Sequence, residues 1–316
     1  MNAVFLGTPE FAVATLERMI DAGHRVLEVV TQPDRPKGRK QELFPSPVKQ
    51  AALKQGLTVY RPERIRRPES VEHLRELAPD VMVVVGYGQI IPQAIIDIPK
   101  HGIINVHASL LPELRGAAPI QWAVARGFRT TGVATMRINA GLDTGDVLGS
   151  WETEIGGDET AVELGVRLAS AGADLLVRTL DELERGTAVA VPQDNSKATL
   201  APILRKEDGR INWCSSAQDI HNLIRGLQPW PGAHTSFRGQ SLHIWRSRRA
   251  EQVGRRTGNR DDLRGGLLIE ADGGVFAIGG DGSALELLEV QLEGRKRMPA
   301  AVFANGHRLA DGESLA

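Results

Sequence analysis

The apolar run Ile104-Asn105-Val106-His107 carries two polar side chains two positions apart. Residues two apart on a strand share a face, so Asn105 and His107 set an amide beside an imidazole. At the carboxyl end of a parallel strand such a pair can polarise a carbonyl. The amide donates N–H to a developing oxyanion, and the imidazole donates a hydrogen bond or a proton. A carboxylate follows in Asn139-Ala140-Gly141-Leu142-Asp143-Thr144-Gly145, behind a second apolar run from Gly132 to Ile138. If both loops leave one edge of one sheet, Asp143 can orient His107 and favour its charged form. Taken singly, each feature has a plain structural reading: a satisfied polar pair at a strand end, and an aspartate in a glycine-rich turn. Joint placement is what would make them a site that polarises a carbonyl.

Other chemistries find less support. The first glycine turn, Gly7-Thr8-Pro9-Glu10-Phe11-Ala12, lacks the later glycines of a dinucleotide fingerprint. Eight histidines and a single cysteine, Cys214, are scattered without HExxH or CxxC spacing, so no metal is expected. No G-x-S-x-G elbow and no P-loop occurs. The segment Gln32-Pro33-Asp34-Arg35-Pro36-Lys37-Gly38-Arg39-Lys40 is a basic loop after the second strand candidate. Its cations could neutralise phosphates, or simply form a solvated charged loop.

The elements that must position these residues alternate. Short apolar runs at Ala3 to Gly7, Arg25 to Thr31, Asp80 to Gly86 and Gly102 to His107 are separated by helical patterns. That order indicates βαβ units and an α/β fold with a mostly parallel sheet. Ligands bind such sheets at the carboxyl ends of their strands. A long helix should start near Asp158-Glu159-Thr160, run through Leu164, Leu168, Leu175, Leu176, Leu180 and Leu183, and stop at Gly186. The polar stretch Gln193 to Thr199 reads as a connector. Beyond Leu204 the apolar runs shorten and glycine turns separate them, as in a small β sandwich or barrel. The chain therefore divides as 1–189, a linker 190–203, and 204–316.

A chain of 316 residues with 41% hydrophobic and 24% charged residues is an ordinary globular one. One cysteine favours a reducing compartment. No run reaches the roughly 18 apolar residues of a membrane span, and the amino terminus has no signal-peptide pattern, so a cytoplasmic protein is expected. With net charge -1, no basic field covers the whole protein, and any nucleic-acid contact needs local clusters. Arg246, Arg248 and Arg249 form one in the second part, which carries 16 Lys+Arg against 14 Asp+Glu from Leu204 onward.

Several motifs in order carry a family resemblance: GTPEFA, TQPDRPKGRK with FPSPVK, VVVGYGQIIP, INVHASLLPELRGAAPIQWA and GLDTGD. INVHxSLLP with GLDTGD resembles the formyltransferases that use 10-formyltetrahydrofolate. The QPDRPxGR loop, PSPVK and the later INW and PWPGA segments resemble the methionyl-tRNA formyltransferases within that group. The likeness spans nearly the whole chain, with one small departure at Ala108, where many members have glycine. It implies a Rossmann-like formyltransferase domain followed by a smaller OB-like barrel that binds tRNA. It also implies that Asn105, His107 and Asp143 are catalytic. The folate segment falls on Ser109, Leu110, Leu111 and Pro112. Tyr87, Gly88, Gln89, Ile90 and Ile91, with Asn139 and Gly141, are expected against the pterin. The implied reaction transfers a formyl group from 10-formyltetrahydrofolate to the methionine α-amine of initiator methionyl-tRNA, by a monomer. Arg35, Lys37, Arg39 and Lys40, and Arg246, Arg248 and Arg249, are expected to hold the tRNA. A formyltransferase acting on a small amine shares the same catalytic residues; a non-catalytic tRNA-binding module would not need them.

Overall fold

The structure is a computed structural model that describes residues 1–37, 42–250, 265–271, 273–310 and 313–316. The chain forms two compact units. One comprises Met1–Pro119, Thr130–Thr153 and Gly165–Pro202; the other comprises Ile120–Arg129, Glu154–Leu164 and Ile203–Ala316.

The first unit grows from β1 (Asn2–Gly7), α1 (Phe11–Asp21) and β2 (Arg25–Val30). Ala12, Thr15, Leu16 and Met19 give α1 one buried face at helical spacing. A short hairpin, β3 (Arg35–Lys37) and β4 (Glu42–Phe44), interrupts the basic segment that the sequence suggested was a plain loop. Next come α2 (Pro47–Lys54), β5 (Val59–Tyr60), α3 (Pro68–Glu76), β6 (Val81–Val85), α4 (Gln93–Ile96) and β7 (Ile103–His107). Ser46 caps α2 by accepting from the Lys49 N–H, and Pro47 opens its first turn. Every residue of β6 and β7 is buried, as a strand covered on both faces requires.

After β8 (Arg115–Gly116) and α5 (Pro119–Ala125), β9 (Thr130–Arg137) and β10 (Val147–Glu154) extend the sheet. Among the described residues its order is β10-β9-β7-β6-β1-β2-β5. β2, β1, β6 and β7 run parallel, and β9 runs antiparallel to β7. α6 (Ala161–Arg185) follows where the sequence placed it. Thr160 and Glu163 form a capping box, the Thr160 hydroxyl accepting from the Glu163 N–H and the Glu163 carboxylate from the Thr160 N–H. Those bonds also hold the Glu163 carboxyl below its ordinary range. Leu176, Leu180 and Leu183 pack on Ile104, Val106 and the interior of β1 and β6.

The expected connector is not a free linker. Residues Asn195–Lys197 form a 3-10 turn, and β11 (Leu200–Ala201) pairs in parallel with β8.

In the second unit, α7 (Ala217–Gly226) precedes β12 (Ala233–Phe237), β13 (Gln240–Ala250), β14 (Leu268–Ala271), β15 (Gly274–Ile278), β16 (Ala284–Leu292) and β17 (Met298–Pro299). The antiparallel order is β12-β13-β16-β15-β14, with β17 on β16. The helix α8 (Ala300–His307) adds Phe303 and Ala304 to this core. The last residues join the two outer strands. The Leu268 N–H donates to Glu313 O at 2.7 Å, while Ser236 and Ala316 exchange backbone bonds at 2.8 and 3.0 Å. That contact closes the sheet as a barrel would. The charged stretch from Glu251 lies outside the described residues as far as residue 264.

Leu315 is buried beside Trp213 and Leu268 in this closure. Leu315→Ala should cost the second unit roughly 2–5 kcal/mol. Urea unfolding would read this as a lower midpoint, and an unchanged midpoint would contradict the closure.

Candidate active site

β7 delivers Asn105 and His107, 9% and 6% exposed, to its carboxyl end. The turn that follows fixes the imidazole. His107 Nε2 lies 3.0 Å from the Leu114 carbonyl oxygen. A carbonyl can only accept, so Nε2 carries the hydrogen and the neutral ring keeps its lone pair on Nδ1. Nδ1 in turn faces Asp143 Oδ2 at 3.7 Å. That is beyond a hydrogen bond but close enough for strong charge interaction in a buried site. The orienting bond therefore comes from Leu114, and Asp143 stands as a charge partner. Among the described residues, no hydrogen bond engages the Asn105 side chain, which leaves its amide free to donate.

Asp143 reaches this position by an unexpected route. Because β9 opposes β7, Ile104 sits across from Arg137, and the Ile138 N–H bonds to Ile103 O. The following loop therefore starts at the far end of β7, not at the edge where His107 lies. It folds back within a few residues. Asn139 Oδ1 accepts from the Gly141 N–H and the Thr144 hydroxyl, a local closure that asparagine favours. Asp143 itself has φ +50°. Its carboxylate accepts from the Gly116 N–H at 2.8 Å. Gly145 packs so tightly that a Cβ there would lie 1.8 Å from Arg137 O.

The other expected loops lie on elements next to this centre. Ser109 donates to Glu113 O at 2.6 Å, and Leu110 to Pro112 form the half-buried turn ending in a cis Leu111–Pro112 bond. Tyr87 to Ile91 leaves β6, whose Val84 is paired with Asn105. The Tyr87 carbonyl accepts from Thr8 Oγ1 at 3.0 Å and Gln32 Nε2 at 3.2 Å, tying together the ends of β1, β2 and β6. The Tyr87 ring is buried, and burial pushes its phenol up. Gly88 takes φ +86°. Gln89 spends its side chain on Ile65 N–H and the Pro62 carbonyl. Ile90, by contrast, is 91% exposed and Leu142 63%.

The basic residues are only partly placed. Arg35 is exposed on β3, whereas Arg39, Lys40 and the Lys37 side chain lie outside the described residues. Arg246, Arg248 and Arg249 are exposed on β13. Arg248 already pairs with Glu286 at 2.7 Å. Leu114, Arg115, Gly116 and Gln193 complete the site's supports. Leu114, Arg115 and Gly116 lie within the INVHASLLPELRGAAPIQWA motif, but neither they nor Gln193 carried a role of their own in the sequence.

A strand-end amide, an oriented imidazole and a facing carboxylate thus meet on a mostly parallel α/β sheet. Residues 1–180 match the formyl transferase family and residues 203–308 the formyl transferase C-terminal domain. The chain belongs to the formyl transferase family, and within it to the methionyl-tRNA formyltransferases. The relative from Solibacter usitatus (strain Ellin6076) bears that name and is 60% identical over 315 residues, covering 100% of this chain and 98% of the relative. The one from Koribacter versatilis (strain Ellin345) is 52% identical over 316 residues, covering 100% and 98%. In fold alone, the chain resembles the N-formyltransferase from Helicobacter canadensis in complex with folinic acid and dTDP-3-aminofucose. That likeness has a TM-score of 0.69 at 19% identity, over 90% of this chain and 98% of the other. HypX from Aquifex aeolicus, in complex with tetrahydrofolic acid, has a TM-score of 0.66 at 16% identity, over 99% of this chain and 48% of the other.

The tight Gly145 turn yields a test of the fold-back route. Gly145→Ala should displace the Asp143 loop and lower formyl transfer about a hundredfold, as small misplacements of reacting groups do. Steady-state kinetics on the folded variant would check this, and unchanged turnover would contradict it.

Proposed function

We propose that this chain transfers the formyl group of 10-formyltetrahydrofolate to the methionine α-amine of initiator methionyl-tRNA. The observation that carries the reading is the free Asn105 amide beside an Nδ1 lone pair that faces Asp143. A folate suits the residues around it: the solvent-exposed apolar side chains Ile90 and Leu142 could cover a flat ring, and the backbone of Tyr87 to Ile91 could meet its edge. Ser109 to Pro112, with Asn139 and Gly141, would complete that contact. When bound, the folate supplies the formyl carbon.

The chain's own groups do the rest. Asn105 donates N–H to the formyl oxygen as negative charge builds there. An α-amine has a reference pKa near 8, so a neutral fraction is present without a strong base. His107 Nδ1 would take the proton the amine sheds on attack, with Asp143 stabilising the resulting imidazolium at 3.7 Å. As the oxyanion collapses, the bond from the formyl carbon to N10 of the folate would break and that proton would pass to N10, so that tetrahydrofolate leaves. The Leu114 carbonyl keeps the ring from turning during that transfer.

In this reading, residues 1–189 perform the chemistry with the segment 193–201 packed against them, and 204–316 bind the tRNA, in a cytoplasmic monomer. Among the described residues no helix is long and apolar enough to cross a membrane. Arg35, Lys37, Arg39, Lys40, Arg246 and Arg249 would contact phosphates, and Arg248 would contribute less because Glu286 already neutralises it.

The deciding assay follows a labelled formyl group from 10-formyltetrahydrofolate to charged initiator tRNA or to free amino sugars. Label on the amino sugar alone would favour a small-amine enzyme. Asn105→Ala, His107→Ala and Asp143→Ala should each lower transfer by about a hundred- to a thousandfold, with combined losses less than additive. Near-normal turnover in any one would remove its role.

Binding should respond differently to the two sets of arginines. Arg39→Ala or Arg246→Ala should weaken tRNA binding and reduce the salt slope by about 0.7 to 0.9 per phosphate lost. Arg248→Ala should change it less. Equal slopes in all variants would contradict the assignment.

A further inference from the structure

The segment 193–201 carries hydrogen bonds to Asp143 and to Leu114, the residue that holds His107. Gln193 Nε2 donates to Asp143 O at 2.9 Å and to Gly145 O at 2.6 Å. Its Oε1 accepts from Arg115 Nε at 3.1 Å and Nη2 at 2.7 Å. Chemistry fixes this orientation. Carbonyls only accept and a guanidinium only donates, so the amide nitrogen must face the loop and the amide oxygen the arginine. Arg115 is buried and also donates to Asn195 Oδ1 at 2.8 Å. A buried guanidinium held by two amide oxygens is a stiff anchor, because losing an acceptor leaves buried N–H donors unsatisfied.

Six residues further on, the same segment holds the imidazole's partner. Thr199 Oγ1 accepts from the Leu114 N–H at 2.9 Å, and Thr199 O accepts from the Arg115 N–H at 2.9 Å. Leu114 is the residue whose carbonyl takes the His107 Nε2 hydrogen. It sits at φ +57°, as Asp143 sits at φ +50°. Both are left-handed conformations that a side-chain-bearing residue adopts only when neighbours impose them. One stretch of chain hydrogen-bonds to both residues.

We propose that 193–201 is a positioning strap, with Gln193 as its key residue, which sets the separation of His107 and Asp143. The inference rests on the reading of those two as the proton-handling pair. Gln193 touches no reacting atom in this scheme: its amide nitrogen holds the Asp143 loop at Asp143 and Gly145, and its amide oxygen anchors on Arg115.

The test is a double-mutant cycle on the full-length chain. Gln193→Ala removes both donors and the acceptor. Gln193→Glu keeps an acceptor for Arg115 but sets a carboxylate oxygen against two carbonyls, so it isolates the donor role at nearly constant shape. Each should lower kcat by about ten- to a hundredfold, with KM for charged tRNA within about twofold of the parent. In an Asp143→Ala background the same substitutions should cost less than about threefold, since the group they position is gone. A merely structural role would cost as much in both backgrounds, and that result would overturn the strap. So would unchanged kcat in both Gln193 variants. Should Asp143→Ala itself retain normal transfer, the underlying reading of the pair fails instead, and the cycle distinguishes the two failures. If Gln193→Ala does not fold, Gln193→Glu carries the same comparison.

Discussion

An antiparallel strand beside a parallel one sets the problem this active site solves. β9 runs against β7, so its following loop begins beside Ile103, at the end of β7 remote from His107. A carboxylate on that loop must travel back along the sheet to reach the imidazole. The sharp turn at Asn139, the glycine packed on Arg137 and the left-handed backbone of Asp143 accomplish the return. A conformation of that kind costs about 1–3 kcal/mol per residue. Hydrogen bonds from the Gly116 N–H and the Gln193 amide hold it in place.

The same constraint explains why the imidazole is not held by its carboxylate. With Asp143 approaching from a folded-back loop, Nδ1 and Oδ2 stay 3.7 Å apart. Orientation falls instead to Leu114 O, which lies in the turn just after β7. The division leaves a basic nitrogen facing a negative charge, with no hydrogen bond to spend before the substrate's proton arrives. Electrostatic preorganisation of this kind needs no rearrangement during reaction. Asn105, on the same face of the same strand, brings the complementary donor.

Much of this was legible in the residues. The period-two placement of Asn105 and His107, the buried valines of β6 and the leucine spacing of α6 with its start near Thr160 follow from patterns that local geometry writes into sequence. Asp143 was legible as a carboxylate in a glycine-rich loop, but its path was not. Strand direction depends on pairing between distant segments, and the apolar run of β9 reads the same either way. Gln193 was hidden for a different reason. Its acceptors are backbone carbonyls, which leave no mark on residue type, and a polar stretch with Asp194, Asn195 and Ser196 looks like solvated linker. The closing of the second unit by residues 313–316 is likewise backbone pairing, betrayed only by the lone apolar Leu315. In the basic segment, charge was evident, while the β3–β4 hairpin was masked by Pro36 and its polar neighbours.

The proton transfer turns on which nitrogen of His107 is free. Two-bond proton–nitrogen correlation spectra of the histidine-labelled protein, assigned with His107→Gln and taken at a pH where the ring is neutral, report this directly. The structure leads to a ring protonated on Nε2, with the lone pair on Nδ1 toward Asp143. A ring protonated on Nδ1, its hydrogen directed at Asp143, would contradict the assignment of that nitrogen as the proton acceptor.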